Sequence, residues 1–163
     1  MTTPQQLAKQ LRDVYFGGNW TAVNLKDTLA DIHWQQAVTK IYNLNTIAAL
    51  VFHINYYVDA ALRVLQGEPL NAHDKFSFDL QPVTSEDDWQ KLVTRVFAQA
   101  ELIAGQIEKL NEQKLFEVFQ EEKYGNYFRN LSGIIEHAHY HLGQIVLIRK
   151  ILNESRSSPG LTK

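Results

Sequence analysis

Four stretches of this chain repeat apolar residues at helical spacing, and no stretch alternates with the period of a strand. Pro4 opens the first, where Leu7, Leu11, Val14 and Tyr15 share a face and Gly17-Gly18 stop the helix. Asn19-Trp20-Thr21 reads as a turn. Leu25, Leu29 and Ile32 then mark a short helix with Asn24 as its cap, and broken helical structure is expected as far as Ala37. The second long stretch runs from about Leu44 to Gln66, with Ile47, Leu50, Ile54, Tyr57, Ala61 and Leu65 in register and Gly67 and Pro69 beyond its end. Thr84-Ser85-Glu86-Asp87-Asp88 starts the third, placing carboxylates over the positive end of the helix dipole. Its stripe is Trp89, Leu92, Val93, Val96, Ala100, Ile103, Ile107 and Leu110; Gly105 interrupts it, at a propensity cost of about 1 kcal/mol, where close helix approach is one use for a missing side chain. The fourth stretch runs from about Tyr127 to Leu152.

The connections are uneven. Residues 68–82 are polar and irregular, longer than most helix connections, and suit a pocket rim or a crossover. Residues 111–126 are charged and contain the turn Tyr124-Gly125-Asn126. The pattern predicts an all-α chain: one domain over residues 1–153, four main helices each burying one stripe, and a flexible C-terminal tail over 154–163.

Composition mostly excludes. A net charge of -2 supplies no basic field for nucleic acid. The longest apolar run, Ile47 to Phe52, is too short to span a bilayer, and the first residues lack the pattern of a signal peptide. With no cysteine, disulfides are excluded and any thiol used must come from outside; a cytoplasmic location is the expectation.

The chemistry concentrates in Glu136-His137-Ala138-His139-Tyr140-His141-Leu142-Gly143-Gln144. His137 and His141 are four residues apart, so they stack on one helical face, which continues as Ile134, Ile145, Ile148 and Leu152. Two imidazoles on a buried stripe need partners, and neutral imidazole is a common metal ligand. His53, flanked by Leu50 and Tyr57 on the second long helix, points to the same interior and is the candidate third ligand. The competing reading is a set of core or pocket histidines bonded to tyrosines or carbonyls. Ala138 after His137 breaks the His-Glu-x-x-His pattern, so a metalloprotease is disfavoured. His139 lies about 200° around the helix from His137 and suits a surface or interface. His33 and His73 fall in irregular segments and are read as solvated. Glu136 and Gln144 are candidates to hold the imidazoles from behind, against a surface carboxylate and a packing amide. Trp20 and Tyr57 are read as pocket lining or, more often for such aromatics, plain core.

Three features together resemble the DinB-like family, the damage-inducible/YfiT-type metalloenzymes. Asn45 to Ile54, ending in Phe52-His53-Ile54, is similar to the family's second-helix histidine context. His137-x-x-x-His141-Leu142-Gly143-Gln144 is similar to its closing signature, and Gly18-Asn19-Trp20 follows the first helix as in the family. The resemblance implies a four-helix bundle of up-up-down-down topology, often a homodimer, with a divalent metal on His53, His137 and His141; zinc or nickel is expected, and iron also suits imidazole. It further implies a transferase or isomerase using a low-molecular-weight thiol and a small electrophilic substrate. A metal on the three imidazoles would activate thiol or water, and charge and apolar-run length lead us to expect no nucleic-acid or membrane partner. The alternative is a non-catalytic helical protein that binds metal or a small molecule, or dimerises.

Overall fold

The computed structural model describes residues 1–157. It is all-helical, with no β-strand among the described residues. The helices are α1 (Thr3–Phe16), α2 (Leu25–Leu29), α3 (Trp34–Val38), α4 (Ile47–Leu65), α5 (Glu86–Glu108) and α6 (Tyr127–Ser157).

Local chemistry sets most of these ends. Thr2 and Gln5 close a reciprocal capping box around Thr3-Pro4, satisfying donors that the first turn of α1 would otherwise leave bare. Asn24, Thr46 and Ser85 cap α2, α4 and α5 with side-chain oxygens. The Thr46 cap moves the start of α4 to Ile47, three residues later than the apolar pattern suggested. Gly67, at φ 92°, follows the C-cap Gln66 of α4 in a conformation that favours glycine. At the other end of the chain α6 continues past Leu152 to Ser157, so the first part of the expected tail is helical; residues 158–163 lie outside the described residues.

The long helices pack in a ring of neighbours. α1 and α4 each contact both α5 and α6. Their apolar stripes fill the centre, where Leu11, Val14, Tyr15, Ile47, Leu50, Ile54, Trp89, Ile103, Ile107, Leu131 and Ile145 are all buried. Completely burying such side chains contributes about 1.5–3 kcal/mol apiece in transfer free energy, which is what holds long helices together when propensity alone is marginal. Trp89 also donates its indole N–H to the Ile32 carbonyl at 2.7 Å, locking the α2–α3 corner onto α5. Gly105 makes no close contact: a Cβ there would meet nothing within 4 Å, so the expected close approach is absent. α4 is long and apolar enough to cross a bilayer, but 61% of its apolar window is buried within the fold, as a core helix requires.

Two connections matter for the site. Residues 68–82 fold back over α4, with a 3-10 turn at Asp74–Phe76. Tyr56 holds this loop from α4, donating its hydroxyl to the His73 carbonyl at 3.1 Å and accepting from the His73 N–H at 2.8 Å. Before α6, the segment at Val118 bridges Asn126, and Phe119 N–H donates to the Gly125 carbonyl at 2.9 Å, pinning the charged connection against the start of the last helix.

Candidate metal centre

His53 from α4 and His137 and His141 from α6 meet at one point, as their spacing suggested. Their ligand nitrogens all lie within 4.8 Å of one another. His137 Nε2 is 3.0 Å from His53 Nε2 and 3.0 Å from His141 Nε2. His53 and His141 are buried and His137 is half-buried.

The other ring nitrogens decide what faces the centre. His53 Nδ1 lies 3.2 Å from the Ser77 carbonyl, which can only accept. His141 Nδ1 lies 2.7 Å from Gln144 Oε1, whose amide is turned that way because Gln144 Nε2 donates to the Tyr140 hydroxyl. Each Nδ1 therefore carries the hydrogen, and each Nε2 presents a lone pair inward. A neutral His137 standing between them can give a hydrogen to one of these lone pairs and leaves the other facing a nitrogen. A cation satisfies all three.

The two separations from His137 fit as well. Metal–nitrogen bonds of about 2.0–2.1 Å put neighbouring donors about 2.9–3.4 Å apart, depending on whether the angles are right or tetrahedral. The three histidines thus lie close enough to bind a metal ion. Two of them are also biased toward the neutral, ligating form. Burial, reinforced by repulsion from His141 and His53, lowers His137 from the usual 6.5 to about 4. Burial likewise lowers His53, with the Ser77 hydrogen bond opposing part of the effect.

Aromatic rings wall the centre. Phe78 stacks on His53 with ring centroids 3.9 Å apart and planes at 9°. Tyr57 stands edge-on to His53 and His137, at 5.3 and 5.0 Å. Its hydroxyl donates to Asp74 Oδ1 at 2.9 Å, and burial followed by this bond raises its pKa. Beside His137 a cleft of about 390 Å³ opens, lined by Tyr57, Lys123, Tyr124, Arg129, Asn130 and Ile134 among others.

The remaining sequence candidates divide clearly. Gln144 holds His141 from behind. Glu136 is exposed and bonds to none of the three imidazoles. His139 points elsewhere, half-buried beside Trp20 in a separate hollow with Val23, Leu142 and Val146. Trp20 itself is fully exposed, which corrects the core reading; it lines the hollow beside His139 and no part of the triad's cleft. His33 and His73 are exposed. Ser77, Phe78 and Asp74 were missed individually. Their only advance signal was the unusual length of the 68–82 connection.

The fold and site define an all-helical protein with a buried three-histidine cluster suited to a metal ion. No protein-family model, curated protein or solved structure matches the chain.

Proposed function

We propose that this chain is a divalent-metal-dependent enzyme of the DinB-like family, whose centre at His53, His137 and His141 activates a low-molecular-weight thiol or a water. The observation that carries the reading is the inward convergence of the Nε2 atoms, with His53 and His141 each held in the metal-binding tautomer by a separate acceptor. The mutual packing of α1, α4, α5 and α6 supports a four-helix bundle, for which the family's up-up-down-down topology is proposed.

The chain's own residues have defined tasks in this reading. His53, His137 and His141 donate three nitrogens. Ser77 and Gln144 fix two ring orientations from behind, a role that commonly affects metal affinity by about 10–100-fold. Phe78 and Tyr57 exclude water from the flanks of the centre. The open side faces the cleft at His137, where substrate enters. A bound divalent ion, zinc or nickel by preference with iron also suited, supplies Lewis acidity that lowers the pKa of a coordinated thiol or water. Because the chain has no cysteine, the thiol is external, and a transferase acting on a small electrophile is the activity proposed. A homodimer is proposed on separate grounds: Trp20 projects wholly into solvent beside an apolar hollow.

The test is elemental analysis of protein purified without a histidine tag, combined with thiol consumption against a small electrophile. One ion per chain is expected in the parent and severe loss in His141→Ala, with helical content retained because the core stripe survives. Equal metal in mutant and parent would remove the assignment. Full metal without thiol turnover or hydrolysis would leave a non-catalytic metal-binding protein.

A further inference from the structure

The cleft at His137 has a charge of its own. Apart from His137 and the tyrosines, the ionisable side chains lining it are Lys123 and Arg129, and no carboxylate lines it. This stands out in a chain of net charge -2. Arg12, Arg63, Arg95 and Arg149 each pair with an aspartate or glutamate. Arg129 alone among the arginines with described side chains has no carboxylate partner. Lys123 is partly neutralised: its Nζ lies 3.0 Å from Glu121 and 4.7 Å from the centre of the Tyr124 ring.

Arg129 is also positioned. Gly125 sits at φ 76°, and a Cβ there would come within 3.0 Å of Arg129 Cδ and 3.5 Å of Nη1. The arginine stem therefore lies across the glycine backbone, in space that a side chain would fill. Asn126 accepts the Arg129 backbone N–H at 2.9 Å, fixing the first turn of α6 beneath it. A free guanidinium offers a planar fork that matches carboxylate or phosphate oxygens two at a time. Tyr57 and Tyr124 give the cleft aromatic sides, and its volume of about 390 Å³ suits one small molecule.

We propose that this cleft binds a small molecule through a carboxylate or phosphate gripped by Arg129 and assisted by Lys123, leaving the other end of the molecule at His137. The assignment of that other end rests on the metal-centre reading; the anion subsite does not.

Calorimetric titration of the full chain with benzoate, phenyl phosphate and neutral benzyl alcohol tests this, in metal-loaded and in chelator-stripped protein. Both anions, or the one whose geometry the fork prefers, should bind at least about tenfold more tightly than the alcohol, as loss of a charge-assisted hydrogen bond implies. Arg129→Gln should abolish that preference without changing metal content, and Lys123→Gln should weaken it less. Arg129→Lys keeps the charge but loses the fork, and reads the same subsite if the glutamine variant folds poorly. The probe that loses more in the variants separates a carboxylate from a phosphate. Equal binding of benzoate, phenyl phosphate and benzyl alcohol would overturn the proposal. So would an anion preference that survives Arg129→Gln, or one that disappears with the metal, since the ion rather than the arginine would then be the anion site. Failure of the parent to load any metal would count against the centre and leave the stripped-protein result readable.

Discussion

Single residues around the triad divide into those that donate to the centre and those that hold the donors still. Gln144 belongs to the second group. Gln144→Leu removes the acceptor that keeps hydrogen on His141 Nδ1. The variant should lose about 10–100-fold in metal affinity by chelator competition while its circular dichroism stays that of the parent. His137 carries a pH signature. It titrates near 4 in the folded chain against 6.5 when unperturbed, so the unfolded chain takes up a proton that the folded chain refuses. Above about pH 6.5 neither state binds it and the contribution is complete. Between about pH 6.5 and 4 acidification favours unfolding. Metal-free protein should therefore show a falling denaturation midpoint from pH 7 to pH 5, and His137→Asn should flatten that slope. A parent midpoint that is constant over this range would contradict the environment described for the ring.

Helices and loops show where the amino-acid pattern is informative and where it stops. The stripes of α1, α4, α5 and α6 could be read directly, because burial of one face imposes the 3.6-residue period. The cap at Asn24 was equally plain, since a short side-chain oxygen before an apolar run has few other uses, and the start of α5 was legible as the stretch Thr84 to Asp88, within which Ser85 is the cap. His53, His137 and His141 were legible because two share a helical face and the third sits on the inner face of another long helix. Ser77 and Phe78 were not, because their positions depend on how an irregular connection folds back over α4, and no period encodes that. Trp20 misled for a related reason: a large aromatic ordinarily predicts burial, and the turn after α1 instead turns it outward. Gly105 shows a pattern departure without a packing cause. With open space where its Cβ would stand, Gly105→Ala should stabilise the chain by about 0.5–1 kcal/mol, read as a rise in thermal midpoint. A lower midpoint would mean the neighbouring helix approaches more closely in solution.

Whole-molecule behaviour is tested at two of the surface hollows, the cleft at His137 and the hollow beside Trp20. If the second is where two copies meet, Trp20→Ser should convert a dimer to a monomer in light scattering without altering metal content, because Trp20 touches no ligand. A parent that is already monomeric would separate the exposed tryptophan from self-association. Metal should also raise global stability in proportion to the logarithm of its concentration over its dissociation constant, by about 4 kcal/mol at a thousandfold excess.

The donors are unevenly shared: His137 and His141 sit one turn apart on the same helix, whereas His53 arrives from 84 residues earlier in the chain. A pair at that separation exists as soon as a few turns of α6 form, before any tertiary structure. An ion can therefore gain a foothold on the isolated segment and act as a nucleus onto which α4 later closes. If the proposed ion is bound, drawing α4 away would leave His137 and His141 on α6 to hold it, so exchange with competing chelators would not require the denatured chain.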